Sequence, residues 1–108
     1  MNKGEIWLVE LPASNGYEQA GTRPVIILAD TESNIAIIIP FTSNIQALRF
    51  PNTIEIAPSK ENGLNGKSIA LIFQARAIDK KGLKNKIGRI ESATLTKINN
   101  MLKNLLQI

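Results

Sequence analysis

Two apolar, β-branched runs, Val25-Ile26-Ile27-Leu28-Ala29 and Ile35-Ala36-Ile37-Ile38-Ile39-Pro40-Phe41, flank the polar cluster Asp30-Thr31-Glu32-Ser33-Asn34. Both runs are short and carry apolar side chains at odd and even positions alike. They are therefore predicted as strands buried on both faces. The cluster between them is built of turn residues, so the three segments together predict a β-hairpin. A chain of 108 residues has room for one core of this kind, and residues 1–108 are read as a single domain.

The remaining pattern is also β-rich until the end. Residues 5–11 alternate around Ile6, Leu8 and Val9, and Thr53-Ile54-Glu55-Ile56 alternates strictly after Phe50-Pro51. A breaker-rich loop, residues 58–66, leads into residues 67–77, read as one long strand. That strand places Ile69, Leu71 and Phe73 on one side, and Ser68, Gln74 and Arg76 together on the other. Asp79 is set to cap the Lys80-Lys81-Gly82 turn, and a short strand over residues 86–90 follows. The period then changes. Leu95, Ile98, Leu102, Leu105 and Leu106 recur at helical spacing, with Ser92 or Thr94 placed to cap the start. Many short strands with breaker-rich turns and one terminal amphipathic helix predict a mainly β, α+β fold, a small and strongly curved sheet or barrel.

Two absences narrow the chemistry. The chain has no cysteine and no histidine. It therefore lacks a disulfide framework, a thiolate nucleophile, the usual near-neutral acid and base, and the commonest metal ligands. No carboxylate cluster suggests a two-metal site either, so neither metal nor cofactor is expected. The formal net charge of +4 favours an anionic partner without demanding one. No run has the length of a signal peptide or a membrane span, which predicts a cytoplasmic protein with no membrane contact.

The candidate site comes from two segments. In Gly16-Tyr17-Glu18-Gln19-Ala20-Gly21-Thr22-Arg23-Pro24-Val25, proline forces the arginine before it into an extended conformation. Arg23 is thus expected at the mouth of a strand, on a defined trajectory. Thr42-Ser43 closes the second run, and a phosphate could sit between the two. Phe50 is the better-placed base-stacking aromatic, with Arg49 able to approach a backbone phosphate. Trp7 lies on an early strand and is read as core or dimer interface. Each residue also has an ordinary reading: Arg23 as a strand-end ion pair with Glu18 or Glu5, Thr42 and Ser43 as turn hydroxyls, and Glu18-Gln19 as solvated loop.

Taken in order, Gly4-Glu5-Ile6-Trp7, the loop ending in Arg23-Pro24-Val25, Pro40-Phe41-Thr42-Ser43, Gly63-Leu64 before Ser68, Gln74-Ala75-Arg76-Ala77-Ile78-Asp79-Lys80 and Ile87-Gly88 resemble the MazF/PemK family of toxin endoribonucleases. The resemblance spans essentially the whole chain. It implies an SH3-like β-barrel with appended helices, a homodimer, metal-independent cleavage of single-stranded RNA, usually messenger RNA, at short sequences, and a cognate antitoxin. By motif position Arg23 and Thr42 match the family's catalytic arginine and threonine, and Glu18, Gln19, Ser68 and Gln74 fall where members line the RNA groove. One departure is Phe73, which stands where some members carry an acid.

The chemistry of such a substrate fits these residue types. Metal-free RNA cleavage needs the ribose 2′-hydroxyl to attack its own phosphate, and charge on the phosphorane-like transition state must be stabilised. A guanidinium offers a planar fork to two phosphate oxygens, and a threonine hydroxyl adds a further donor. A guanidinium is a poor base, which leaves Glu18 as the chemically reasonable proton acceptor. Two other classes remain open: a non-catalytic gyrase poison of the CcdB type, and an SH3-like RNA-binding module without turnover.

Overall fold

The structure, a computed structural model, describes residues 1–11 and 21–108. Among the described residues there are seven strands: β1 (Glu5–Leu11), β2 (Gly21–Asp30), β3 (Ile35–Thr42), β4 (Thr53–Ile56), β5 (Ser68–Leu71), β6 (Arg76–Asp79) and β7 (Leu83–Arg89). The helix α1 (Ser92–Leu106) ends the chain, and 3₁₀ turns occupy Ile45–Arg49, Ile72–Gln74 and Lys80–Gly82.

The hairpin is present as expected. β2 and β3 pair antiparallel from Val25 opposite Pro40 to Asp30 opposite Ala36, with a bulge between Ile27 and Ala29. Its turn satisfies itself: Thr31 Oγ1 accepts the Ser33 N–H at 3.2 Å and Ser33 Oγ accepts the Ile35 N–H at 3.1 Å. β2 begins earlier than its apolar run, so Arg23 lies inside the strand, opposite Val9 of β1, rather than at its mouth. The strand tolerates Pro24 there because pairing with β3 starts only at Val25, and a proline has no N–H to give to a second neighbour.

The predicted strand over residues 67–77 is broken in two. β5 pairs with Phe41 and Thr42 of β3, whereas β6 pairs with Ile35, Ala36, Ile37 and Ile38. Between them β3 presents Pro40, and Ile72–Gln74 leaves the sheet as a 3₁₀ turn closed by the Ala75 N–H on the Ile72 carbonyl, at 3.1 Å. Pro40 has no N–H to offer a partner, and the pairing of β3 on this side is interrupted where it stands. The expected common face of Ser68, Gln74 and Arg76 is lost with the break.

All pairings are antiparallel, in the order β4-β5-β3-β2-β1-β7, with β6 on β3. The sheet carries apolar residues on both faces. Ile6, Ile26, Ile39, Phe41, Ile72 and Ile98 belong to one buried cluster, against which Leu95, Met101, Leu102 and Leu105 of α1 pack. Val9, Val25, Ile27, Ala36 and Ile38 form the other, with Met1, Trp7, Ile78 and Leu83 around it. The period-3.6 stripe thus lays α1 on the sheet as predicted, except that Leu106 is exposed. The helix cap also differs. Glu91 takes the N-cap position in place of Ser92 or Thr94, and makes no side-chain cap bond.

The strand path is open, with β4 and β7 at its two ends. The loop between β4 and β5 bridges those ends. Buried Asn62 organises it, its Oδ1 accepting the Ser59 and Leu64 N–H groups at 3.0 Å each while its Nδ2 donates to the Ala57 carbonyl at 2.9 Å. The loop meets β7 where the Arg89 N–H donates to the Glu61 carbonyl at 2.9 Å, and meets the start of α1 where Ser59 Oγ donates to the Glu91 carboxylate. Among the described residues, no helix is long and apolar enough to cross a membrane.

Candidate active site

The hairpin carries the two leading candidates at the same end. The β2–β3 ladder ends at Val25 opposite Pro40, and Arg23 and Thr42 each lie two residues beyond that last pair on their own strands. Both strands still exist at that point, β2 held by β1 and β3 held by β5. Arg23 and Thr42 therefore stand at the same end of the hairpin.

Thr42 is 7% exposed, and its Oγ1 accepts the Asn44 N–H at 3.2 Å. The ordinary turn role is therefore real. It also has a chemical use: with one lone pair already engaged, the hydroxyl is free to direct its own proton at an acceptor. Asn44 then caps the next turn, its Oδ1 accepting the Gln46 N–H at 3.0 Å, so the backbone after Thr42 is fixed.

Two clefts meet at Thr42-Ser43. One, of about 380 Å³, is lined by Thr42, Asn44, Gln46, Arg49, Phe50, Phe73 and Gln74 together with Ala47 and Leu71. The other, of about 290 Å³, takes Ser43, Lys67 and Ser68 with Leu8, Pro24, Ile87 and the Gly63-Leu64-Asn65-Gly66 segment. Ser68 Oγ donates to the Gly66 carbonyl at 3.1 Å, which holds that loop. The sequence candidates are therefore divided. Arg49, Phe50 and Gln74 share a cleft with Thr42, Ser43 and Ser68 share its neighbour, and Glu18 and Gln19 lie outside the described residues.

The first cleft is aromatic and cationic. The Arg49 guanidinium carbon stands 5.3 Å from the Phe50 ring centroid, a cation–π distance. Phe50 and Phe73 contact each other with centroids 5.8 Å apart and planes tilted by 46°. Phe73, expected on a strand face with Ile69 and Leu71, instead lies in the 3₁₀ turn Ile72–Gln74. The signal against it was the run Ile69-Ala70-Leu71-Ile72, apolar at consecutive positions, where simple alternation fails. Trp7 is partly buried beside the second apolar cluster, and its Nε1 donates to Glu5 at 3.0 Å. Among the described residues, no group of three or more carboxylates, histidines or cysteines gathers in a metal-binding arrangement.

Comparisons with known proteins cover the same span. Residues 2–106 match the family model described as PemK-like, MazF-like toxin of type II toxin-antitoxin system. The chain is 31% identical to an endoribonuclease MazF of Staphylococcus saprophyticus, covering 94% of this chain and 88% of that protein. It is 30% identical to the endoribonuclease EndoA of Bacillus subtilis, covering 95% and 91%. Its fold is similar to the crystal structure of MazF from Deinococcus radiodurans, with a TM-score of 0.80 at 19% identity over 100% and 97% of the two chains. It is also similar to a mycobacterial endoribonuclease in complex with its cognate antitoxin, with a TM-score of 0.71 at 20% identity over 98% and 94%. A match of this extent fixes the family: the chain belongs to the PemK-like, MazF-like toxins of type II toxin–antitoxin systems.

Proposed function

We propose that the protein is a toxin endoribonuclease that cuts single-stranded RNA, messenger RNA in particular, at short sequences and without a metal ion. Arg23 and Thr42 are its transition-state donors. The observation that carries the reading is that both lie just past the last pair of the hairpin, at its same end, in a chain whose curated relatives are named endoribonucleases along nearly its full length.

In the reaction the substrate's 2′-oxygen forms a bond to phosphorus while the bond from phosphorus to the 5′-oxygen breaks. The 2′-hydroxyl loses its proton to a base, for which Glu18 is the candidate, and the departing 5′-oxygen gains one. Products are a 2′,3′-cyclic phosphate and a 5′-hydroxyl. Arg23 holds two nonbridging oxygens and Thr42 donates to the same phosphate, stabilising the charge that develops there. Gln19, Ser43, Arg49, Phe50, Ser68 and Gln74 line the path of the strand on either side.

The same reading includes a cognate antitoxin as partner, a homodimer as the working unit, residues 1–108 acting as one domain, a cytoplasmic setting and an SH3-like barrel. The two-faced sheet, with its ends bridged by the loop around Asn62, supports such a barrel without strand-to-strand closure. The test is incubation of the purified protein with a long, unstructured RNA in excess EDTA, followed by sequencing of the new 5′ ends. Cleavage at a short recurring sequence with 5′-hydroxyl ends is expected. Loss of cutting on chelation, restored by magnesium, would overturn the metal-free mechanism, and RNA retained uncut would overturn the enzyme.

A further inference from the structure

We propose that Asn44 is a positioning residue for RNA cleavage: its side chain caps the turn that follows β3, holding its own N–H on Thr42 Oγ1, and this sets the direction in which the Thr42 hydroxyl presents its proton. The inference rests on the endoribonuclease reading and deepens it.

Thr42 enters the site with one freedom left. Its backbone is paired with Ile69 of β5, so the sheet fixes its main chain. The side chain still has χ1, and rotation about it exchanges the hydroxyl and the methyl of a threonine between staggered positions. The Asn44 N–H, donating to Oγ1 at 3.2 Å, favours the one position in which the oxygen faces it. It also sets the polarity of the hydroxyl. An N–H can only donate, so it occupies a lone pair of Oγ1 and turns the single hydroxyl proton elsewhere. In the cleft that Thr42 and Asn44 line together, that proton is what a phosphate oxygen needs.

Asn44 holds its own N–H in place. It stands at the N-cap of the turn Ile45–Arg49 with φ −77° and ψ 107°, an extended conformation. Its Oδ1 accepts the Gln46 N–H at 3.0 Å and its carbonyl accepts the Ala47 N–H at 3.0 Å. The turn then closes where the Phe50 N–H donates to the Ala47 carbonyl, also at 3.0 Å. Amide, side chain and carbonyl of one residue are thus all engaged. None of the turn residues is buried, so core packing does not supply the order that these bonds supply. Asn44 is itself exposed, and replacing it opens no hole in the core. Serine caps about as well as asparagine, whereas alanine has no oxygen to offer. Glutamine carries the same amide one methylene further out, away from the position that meets the Gln46 N–H.

The experiment measures kcat and KM for wild type, Asn44→Ala, Asn44→Ser and Asn44→Gln, after thermal unfolding confirms that each is folded. Asn44→Ala is also made in the Thr42→Ala background. The substrate is an RNA oligonucleotide centred on the sequence that wild type cuts in a long RNA. Asn44→Ala is expected to lower kcat by about five- to tenfold, the rate equivalent of a lost cap, with little change in KM. Serine is expected to restore kcat and glutamine is not. Where Thr42→Ala has left no hydroxyl to aim, Asn44→Ala is expected to cost nothing further, the non-additivity of residues that act through one another. Should alanine unfold the chain, the contrast between serine and glutamine carries the test. Wild-type kcat in Asn44→Ala, or an equal further loss in the Thr42→Ala background, overturns the positioning role while the nuclease reading stands. Rescue by glutamine and not by serine overturns it too, and makes the amide a direct contact of the RNA. A wild type that cuts no RNA overturns both readings.

Discussion

Gly63 lies so close to the Ile87 carbonyl that a β-carbon added to it would stand 2.0 Å from the oxygen. Gly63 also holds φ at +70°, a left-handed conformation that costs a non-glycine residue about 1–2 kcal/mol. Across the same contact, a β-carbon on Gly88 would fall 2.5 Å from the Asn62 carbonyl oxygen. These two glycines let the loop between β4 and β5 lie against β7, bridging the open ends of the sheet and forming one wall of the Ser43–Ser68 cleft. Gly63→Ala is therefore expected to destabilise the fold by at least ~2 kcal/mol, lowering Tm by roughly 10 °C or more. Gly66→Ala, in the same loop with nothing within 4 Å of an added β-carbon, is expected to melt close to wild type. Thermal unfolding of the two variants side by side checks the contrast.

Acid is expected to destabilise the fold through three carboxylates. Buried Glu5 accepts from Trp7 Nε1 at 3.0 Å and from Lys86 Nζ at 3.4 Å, and the Trp7 bond above all holds its pKa below the ordinary 4.5 against the opposing effect of burial. The Ser59 hydroxyl does the same for Glu91. Lys80, followed by the N-terminal ammonium at 3.4 Å, holds Asp30 below the ordinary 3.8. A depressed folded-state pKa means that the unfolded chain binds protons first as pH falls. Their contribution is thus complete above about pH 4.5 and is lost as pH drops through the folded-state values. Melting curves are expected to be flat in this respect near neutrality and to shift down below about pH 4. Glu5→Gln is expected to melt lower than wild type at pH 7 and to lose less on acidification, so that the two curves converge.

At the proposed active site, Arg23→Lys keeps the charge but loses the bidentate fork. It is expected to retain most RNA affinity and to lose most turnover. Thr42→Ala removes one donor to the phosphate and is expected to lower kcat on the order of a hundredfold or more. It also removes the acceptor of the Asn44 N–H. Thr42→Ser, which keeps that oxygen, is therefore the control that separates a positioning loss from a catalytic one. Wild-type rates in both Arg23→Lys and Thr42→Ala would place the chemistry elsewhere.

The hairpin was legible because β-branched runs and a polar turn encode it locally, and it leaves Arg23 and Thr42 at one end, each two residues past its last pair. The helix was legible for the same reason, since its stripe of leucines has one consistent period. The division of residues 67–77 was hidden because its cause lies on another strand. Only the pairing partner shows that Pro40 faces the middle of that stretch, and only then does Phe73 become a surface ring rather than a strand residue. The cap of α1 was misread on similar grounds. Ser92 has the better capping chemistry, but the Glu91 carboxylate is drawn to Ser59 and Asn62 across the loop, a contact that nothing near position 91 announces.

RNA and antitoxin are expected to compete for the Thr42 clefts. A strand of phosphates and an acidic peptide are attracted by the same groups, Arg23 and Arg49, on a chain of net charge +4, and the exposed Phe50–Phe73 pair can be covered by a base or by an apolar side chain. Occupancy by one should exclude the other. A 2′-deoxy substitution at the cut site removes the attacking oxygen and leaves the phosphates in place, so an uncleavable RNA can be titrated against the cognate antitoxin at equilibrium. Full mutual displacement is expected. RNA affinity should fall roughly two- to threefold per contacted phosphate for a fourfold rise in salt, and antitoxin affinity should relax in the same direction as the charges are screened. Arg49→Ala should weaken both ligands together, because the lost charge is common to the two. If RNA and antitoxin instead bind at once with unchanged affinities, inhibition acts from a separate surface, and the clefts on either side of Thr42-Ser43 belong to the RNA alone.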